Sequence, residues 1–94
     1  MKLDVLTNHA RSRMQQRGIP PLILDWLQIY GSSSHDHGGA EIRYFDSGAR
    51  RRIAKDVGQK VVDLLGQLLD AYMVISNDGV VITCGHRYKR IVKN

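Results

Sequence analysis

Residues 71–85, AYMVISNDGVVITCG, constrain the fold more than any other part of the chain. Two apolar runs, each long enough for a strand, flank Asn77-Asp78-Gly79. Asp-Gly and Asn-Gly tolerate the positive φ angles that tight antiparallel connections require, so this segment predicts a β-hairpin. With Asp78 and Gly79 as the two turn residues, Ile75 pairs with Ile82 and Met73 with Cys84. One face of the hairpin then carries Met73, Ile75, Val80, Ile82 and Cys84 and belongs in the core. The other carries Tyr72, Val74, Ser76, Val81 and Thr83 and is half polar. Gly85 reads as a bulge that would re-aim the residues after it, which leaves open whether His86 faces the core or the rim.

A hairpin with an apolar face needs cover. Thr7 or Asn8 can cap a helix through HARSRMQQ, with Gly18 as its left-handed stop. Pro20-Pro21 open a second helix, LILDWLQIY, because proline's missing amide costs nothing in a first turn. Leu22, Ile23, Trp26, Leu27 and Ile29 are its expected buried face, and Gly31 ends it. SSSHDHGG reads as a mobile loop, and AEIRYF as a short strand between Gly39 and Asp46. Asp46 or Ser47 starts a third helical region reaching about Asp70, with Val57, Val61, Leu64, Leu65, Leu68 and Tyr72 at helical spacing. Gly58 and Gly66 should break or kink it. The order α, α, β, α, β, β predicts one α+β domain over residues 1–94, with two N-terminal helices. Its small antiparallel sheet has three strands, or four if residues 88–93 pair.

With 43% hydrophobic and 24% charged residues in 94, the chain has the composition of an ordinary globular domain. Its single cysteine, Cys84, excludes an intramolecular disulfide and a CxxC metal knuckle. The opening MKLDVLTNHA lacks the features of a signal peptide, and no apolar run approaches the length of a membrane span. A cytoplasmic protein without membrane contact is expected. The net charge of +5 is unevenly spread. Residues 1–30 have four basic and two acidic side chains, and residues 31–83 have six and seven. Residues 84–94 have four basic side chains and no acidic one. If the fold joins the two ends, they form one basic patch suited to a polyanion. A solvated basic tail is the bland alternative.

Two stretches carry candidate chemistry. CGHRYKRI, residues 84–91, ends the second hairpin strand in a histidine, an aromatic and three cations. On the first helix His9, Arg13 and Arg17 fall at i, i+4 and i+8, one stripe beside the core-facing Ala10 and Met14. No acidic partner relieves the repulsion along that stripe.

Both ends together resemble a known family. The helix reads H-A-x-x-R-M-x-x-R-G-I over His9–Ile19, and the C-terminal segment D-G-x-V-I-T-x-G-H-R-x-K-R-I over Asp78–Ile91. These motifs resemble the family known as domain of unknown function 4258, which is grouped with the barnase–EndoU–colicin–RelE fold. The resemblance implies a RelE-like fold and, through the metal-independent ribonucleases of that fold, an RNA-directed activity without a cofactor. Such cleavage needs a base for the 2′-hydroxyl, cations for the charge building on phosphorus, and an acid for the leaving oxygen. His9 and His86 suit the proton steps, with Arg13 and Arg87 on the phosphate. Arg17, Thr83, Lys89 and Arg90 would bind the nucleic acid, and Tyr88 would stack on a base. Structural roles remain open for His86, as a satisfied histidine, and for Tyr88, as a half-buried rim aromatic. RNA is the expected partner, with a small acidic antitoxin-like protein as a possible second one. A nucleic-acid-binding or protein-interaction module that lost catalysis is the alternative.

Three further features are more simply structural. His35 and His37, with His9, His86 and Cys84, have weak metal-ligand spacing, so no metal site is expected. Arg50-Arg51-Arg52 reads as a solvated helix face rather than a phosphate track. Cys84 reads as a small core residue rather than a nucleophile.

Overall fold

Side-chain caps start two of the α-helices, and a glycine ends each of the four described. A computed structural model describes residues 5–35 and 38–87. Helix α1 (Asn8–Arg17) begins where the Thr7 hydroxyl accepts the Ala10 N–H at 3.0 Å. It ends at Gly18, φ 62°, where the Gly18 and Ile19 N–H groups return to the Gln15 and Met14 carbonyls. Helix α2 (Pro21–Tyr30) starts on proline and stops at Gly31. Arg43 donates to the Leu27 and Gln28 carbonyls, and Arg52 to that of Tyr30. Two guanidinium groups thus reach the last turn of α2, where the Leu27 carbonyl also accepts the Gly31 N–H and those of Gln28 and Tyr30 have no partner within the helix. Helix α3 (Ser47–Val57) is capped by Asp46, whose carboxylate accepts the Ala49 N–H at 2.8 Å. After Gly58 come α4 (Gln59–Leu65) and a 3₁₀ turn, Gly66–Asp70.

The sheet has four antiparallel strands in chain order: β1 (Ser32–His35), β2 (Glu41–Tyr44), β3 (Ala71–Ile75) and β4 (Val81–His86). Ala71, Met73, Ile75, Val81 and Cys84 are buried in the core with Ala10, Ile23, Leu24, Leu27, Ile53 and Leu69 of the helical layer. The domain is therefore α+β, with the hairpin β3–β4 at its C-terminal end. No helix among the described residues is long and apolar enough to cross a membrane.

The structure corrects four sequence expectations. The fourth strand is Ser32–His35, within the segment read as a loop; residues 88–93 lie outside the described residues. Three serines have little strand preference, but β2 offers an unpaired edge, and Arg52 ties the Ser32 hydroxyl to the end of α2. In α2 the buried arc is Ile23, Leu24 and Leu27, while Leu22 is 50% and Ile29 63% exposed. A segment apolar nearly all round does not reveal which arc faces a sheet. The third helical region buries a different set of residues from those at helical spacing. Gly58 (φ 99°) and Gly66 (φ 49°) break it as expected, and each break rotates the next segment. Val57 and Leu64 are consequently exposed, and Ala49, Ile53, Val62 and Leu69 form the buried set.

The fourth correction concerns the hairpin. Ser76 N–H bonds the Val80 carbonyl and Gly79 N–H the Ser76 carbonyl, so the loop has three residues, Asn77-Asp78-Gly79. Gly79 takes the positive φ (83°) that closes such a loop. Met73 still faces Cys84, but Ile75 faces Val81 instead of Ile82. Ile82 is the extra residue of a bulge. Val81 therefore enters the core and Ile82 turns out, reversing their expected places. Gly85 is not a bulge; it pairs in register with Tyr72.

Candidate nucleic-acid interface

Helix α1 lies alongside β4, running in the same direction. Thr7 N–H donates to the Val81 carbonyl at 3.1 Å, and the Thr7 hydroxyl to that of Ile82 at 2.9 Å. Further on, the Cys84 thiol faces the Ala10 carbonyl at 3.7 Å, and His86 Nε2 lies 2.8 Å from the Arg17 carbonyl. The helix start meets the strand start, and the helix end meets the strand end. The helix contains His9, Arg11, Arg13 and Arg17 and no acidic residue. The end of α1 therefore lies against His86, the first residue of the C-terminal HRYKR run; residues 88–94 lie outside the described residues.

Within that edge the predicted residues separate. Arg13 is half-buried near Cys84, and its Nε is buried without a hydrogen-bond partner. Arg17 and His9 are exposed. His9 precedes Arg17 by eight residues, about 12 Å along the helix axis, and helical side chains lean toward the N-terminus. His9 and His86 thus stand at opposite ends of α1, too far apart to serve the two oxygens of one phosphodiester.

Strand alternation divides the C-terminal residues. His86 pairs with Ala71 and lies on the helix side of the sheet. Arg87 turns to the opposite face. Its N–H bonds the Asp70 carbonyl at 2.8 Å, one guanidinium nitrogen donates to the Phe45 carbonyl, and the group lies 5.2 Å from the Tyr44 ring centroid. Arg87 is a bracket across β3 to β2, engaged before any phosphate arrives. Thr83 pairs with Val74 on that same face and is half-buried. Tyr88, Lys89 and Arg90 lie outside the described residues.

The remaining features resolve into structure. Arg50 donates to the Leu69 carbonyl and to Asp70, and Arg52 to the Tyr30 carbonyl, so two of the three consecutive arginines bind the ends of the 3₁₀ turn and of α2. His35 is exposed on the edge strand opposite Glu41, and His37 lies outside the described residues. Among the described residues no group of three or more His, Cys, Asp or Glu side chains could hold a metal ion. Cys84 is fully buried; burial pushes its thiol pKa up, and the positive charge of Arg13 opposes that rise only in part. On the other flank of α1 a groove of about 360 Å³, lined by Leu6, Met14, Ile19 and Pro21, includes none of the predicted residues.

Sequence reasoning missed the bracket of Arg87 on Tyr44, because β2 and β4 are far apart in the chain. It also gave no role to Tyr72, although hairpin alternation had placed Tyr72 and Thr83 on one face. Comparison of the chain with protein-family models, curated proteins and solved structures found no match.

Proposed function

We propose that this chain binds RNA, holding the phosphate backbone along the edge that α1 and β4 share. One observation carries the reading: a helix with three arginines, a histidine and no acid lies along the strand that leads into Arg87-Tyr88-Lys89-Arg90. Phosphate neutralisation by such a row releases counterions, which drives binding without base specificity. The resemblance of both ends to domain of unknown function 4258 supports the same partner, in a cytoplasmic toxin-like or RNA-processing role that a small acidic protein could restrain. Replacing Arg13 and Arg17 together by glutamine should flatten the salt dependence of single-strand binding by about 1.4 in log–log slope, the value for two phosphate contacts. An unchanged slope would remove this edge as the interface.

The finer reading is metal-independent endonucleolytic cleavage, with the 2′-hydroxyl as nucleophile and His86 as proton carrier beside Arg13 and Arg17. A non-catalytic binder is the second reading, favoured by the separation of the two histidines. Incubation with structured and unstructured RNA in EDTA separates them. Products ending in cyclic phosphate support cleavage, and retention of intact RNA supports the binder. A protein that neither cleaves nor retains RNA is an interaction module.

A further inference from the structure

A row of cross-strand partners spans the sheet on the face away from the helices: Ser32 opposite Tyr44, Tyr44 opposite Tyr72, and Tyr72 opposite Gly85. Directly opposed residues put their side chains on one face. Gly85 is buried although it has no side chain, because the Tyr72 ring lies on it. A Cβ added at Gly85 would stand 3.3 Å from Cε1 and the hydroxyl oxygen of Tyr72 and 3.4 Å from Cζ. The ring thus rests on β4 backbone on one side, and Tyr72 as a whole is half-buried. Beside it the Tyr44 ring is buried under the Arg87 guanidinium. The open-face positions of the four strands carry Ser, Ile, Tyr, Val, Thr and Gly but no acidic residue.

We propose that Tyr72 is a stacking platform for an unpaired nucleobase, so that the ligand is single-stranded RNA rather than a duplex. This rests on the RNA-binding reading and specifies its substrate class. A strand whose phosphates track α1 past the outer edge of β4 can turn its bases onto the adjacent open face. There every base offers a π-face to Tyr72, and Thr83 offers a hydroxyl to a base edge. The absence of acids from the described strand positions of this face, with Arg87 at its border, suits a polyanion. A duplex keeps its bases stacked inside and cannot use the ring.

The test uses the full chain, a twelve-nucleotide RNA with a central 2-aminopurine, and a twelve-base-pair duplex. Wild-type protein should quench the 2-aminopurine on binding. Tyr72→Leu should abolish the quench and weaken single-strand binding by about 5- to 100-fold, the range found for removal of one stacked base. Its salt slope and duplex affinity should stay at wild-type values, and Tyr72→Phe should bind within about 3-fold of wild type. Tyr72→Ile also removes the π-face while keeping a good strand former, and should weaken single-strand binding to the same extent even if Tyr72→Leu fails to fold. Wild-type affinity in a folded Tyr72→Leu or Tyr72→Ile protein would overturn the proposal. If RNA is retained with an Arg13- and Arg17-dependent slope but shows no such Tyr72 dependence, the platform alone falls; if wild type retains no RNA, the binding reading falls with it.

Discussion

The ring nitrogen Nε2 of His86 is hydrogen-bonded to the backbone carbonyl of Arg17, the last residue of α1, at 2.8 Å. A carbonyl only accepts, so Nε2 carries the proton, and in the neutral ring Nδ1 holds the free lone pair. The bond ties the end of β4 to a helix terminus whose carbonyls lack intrahelical partners. His86 therefore has a structural duty that any proton transfer through Nδ1 must share.

That duty and catalysis are separable. Replacing His86 by alanine removes the donor and should cost about 1 kcal/mol, lowering the melting temperature by roughly 4–8 °C in a domain of this size. His86→Gln retains an amide donor and should recover part of the loss. If His86 moves a proton, the glutamine variant should retain RNA within a few-fold while single-turnover cleavage falls by roughly two to four orders of magnitude. Full cleavage by a folded His86→Gln protein would take His86 out of the chemistry.

Arg87 should matter first for stability. Its guanidinium joins the Phe45 carbonyl to the Tyr44 ring, and its N–H reaches Asp70. Arg87→Ala should destabilise by about 1.5–3 kcal/mol, the value of a hydrogen bond from a charged donor. Arg87→Lys should lose much of this too, because an ammonium lacks the planar fork. Thermal or urea unfolding measures both. A melting temperature of Arg87→Ala equal to wild type would show that the bracket contributes nothing.

The bulge at Ile82 makes neighbouring residues unequal. Val81 is fully buried, and Val81→Ala should cost more than 1 kcal/mol, on the order of the transfer energy of the lost methyl groups. Ile82 is 39% exposed, and Ile82→Ala should stay within about 0.5 kcal/mol. Equilibrium unfolding of the pair checks the register, since a two-residue turn would reverse the order.

Cys84 supplies a pH prediction. Burial raises its thiol pKa in the folded protein, so the native state keeps the proton after the unfolded thiol, near 8.5, has lost it. The contribution is complete below about pH 8.5 and declines as pH rises toward the folded pKa, because the unfolded state then binds fewer protons. Wild type should lose stability above pH 8.5 more steeply than Cys84→Ala, and native protein should resist alkylation until it opens. Rapid alkylation of folded protein at pH 8, on the time scale of a free thiol, would contradict the burial.

Much of the fold can be read from single residues because its determinants are local. Thr7, Gly18, Pro21, Gly31 and Asp46 stop or start helices through their own backbone preferences and side-chain oxygens, and these caps appear where the chain predicts them. Asn77-Asp78-Gly79 specifies a hairpin for the same reason. The charge at the two ends is likewise sequence information. Non-local choices are different. Whether Ser32–His35 pairs depends on an edge that β2 leaves open and on Arg52, twenty residues from Ser32. Which arc of α2 is buried depends on the sheet beneath it. A single extra residue at Ile82 exchanges the core and surface places of its neighbours, because strand side chains alternate with period two. That same alternation, carried through β4 in register with β3, sends His86 toward α1 and Arg87 onto Tyr44, parting two adjacent residues that the sequence presents as one cluster.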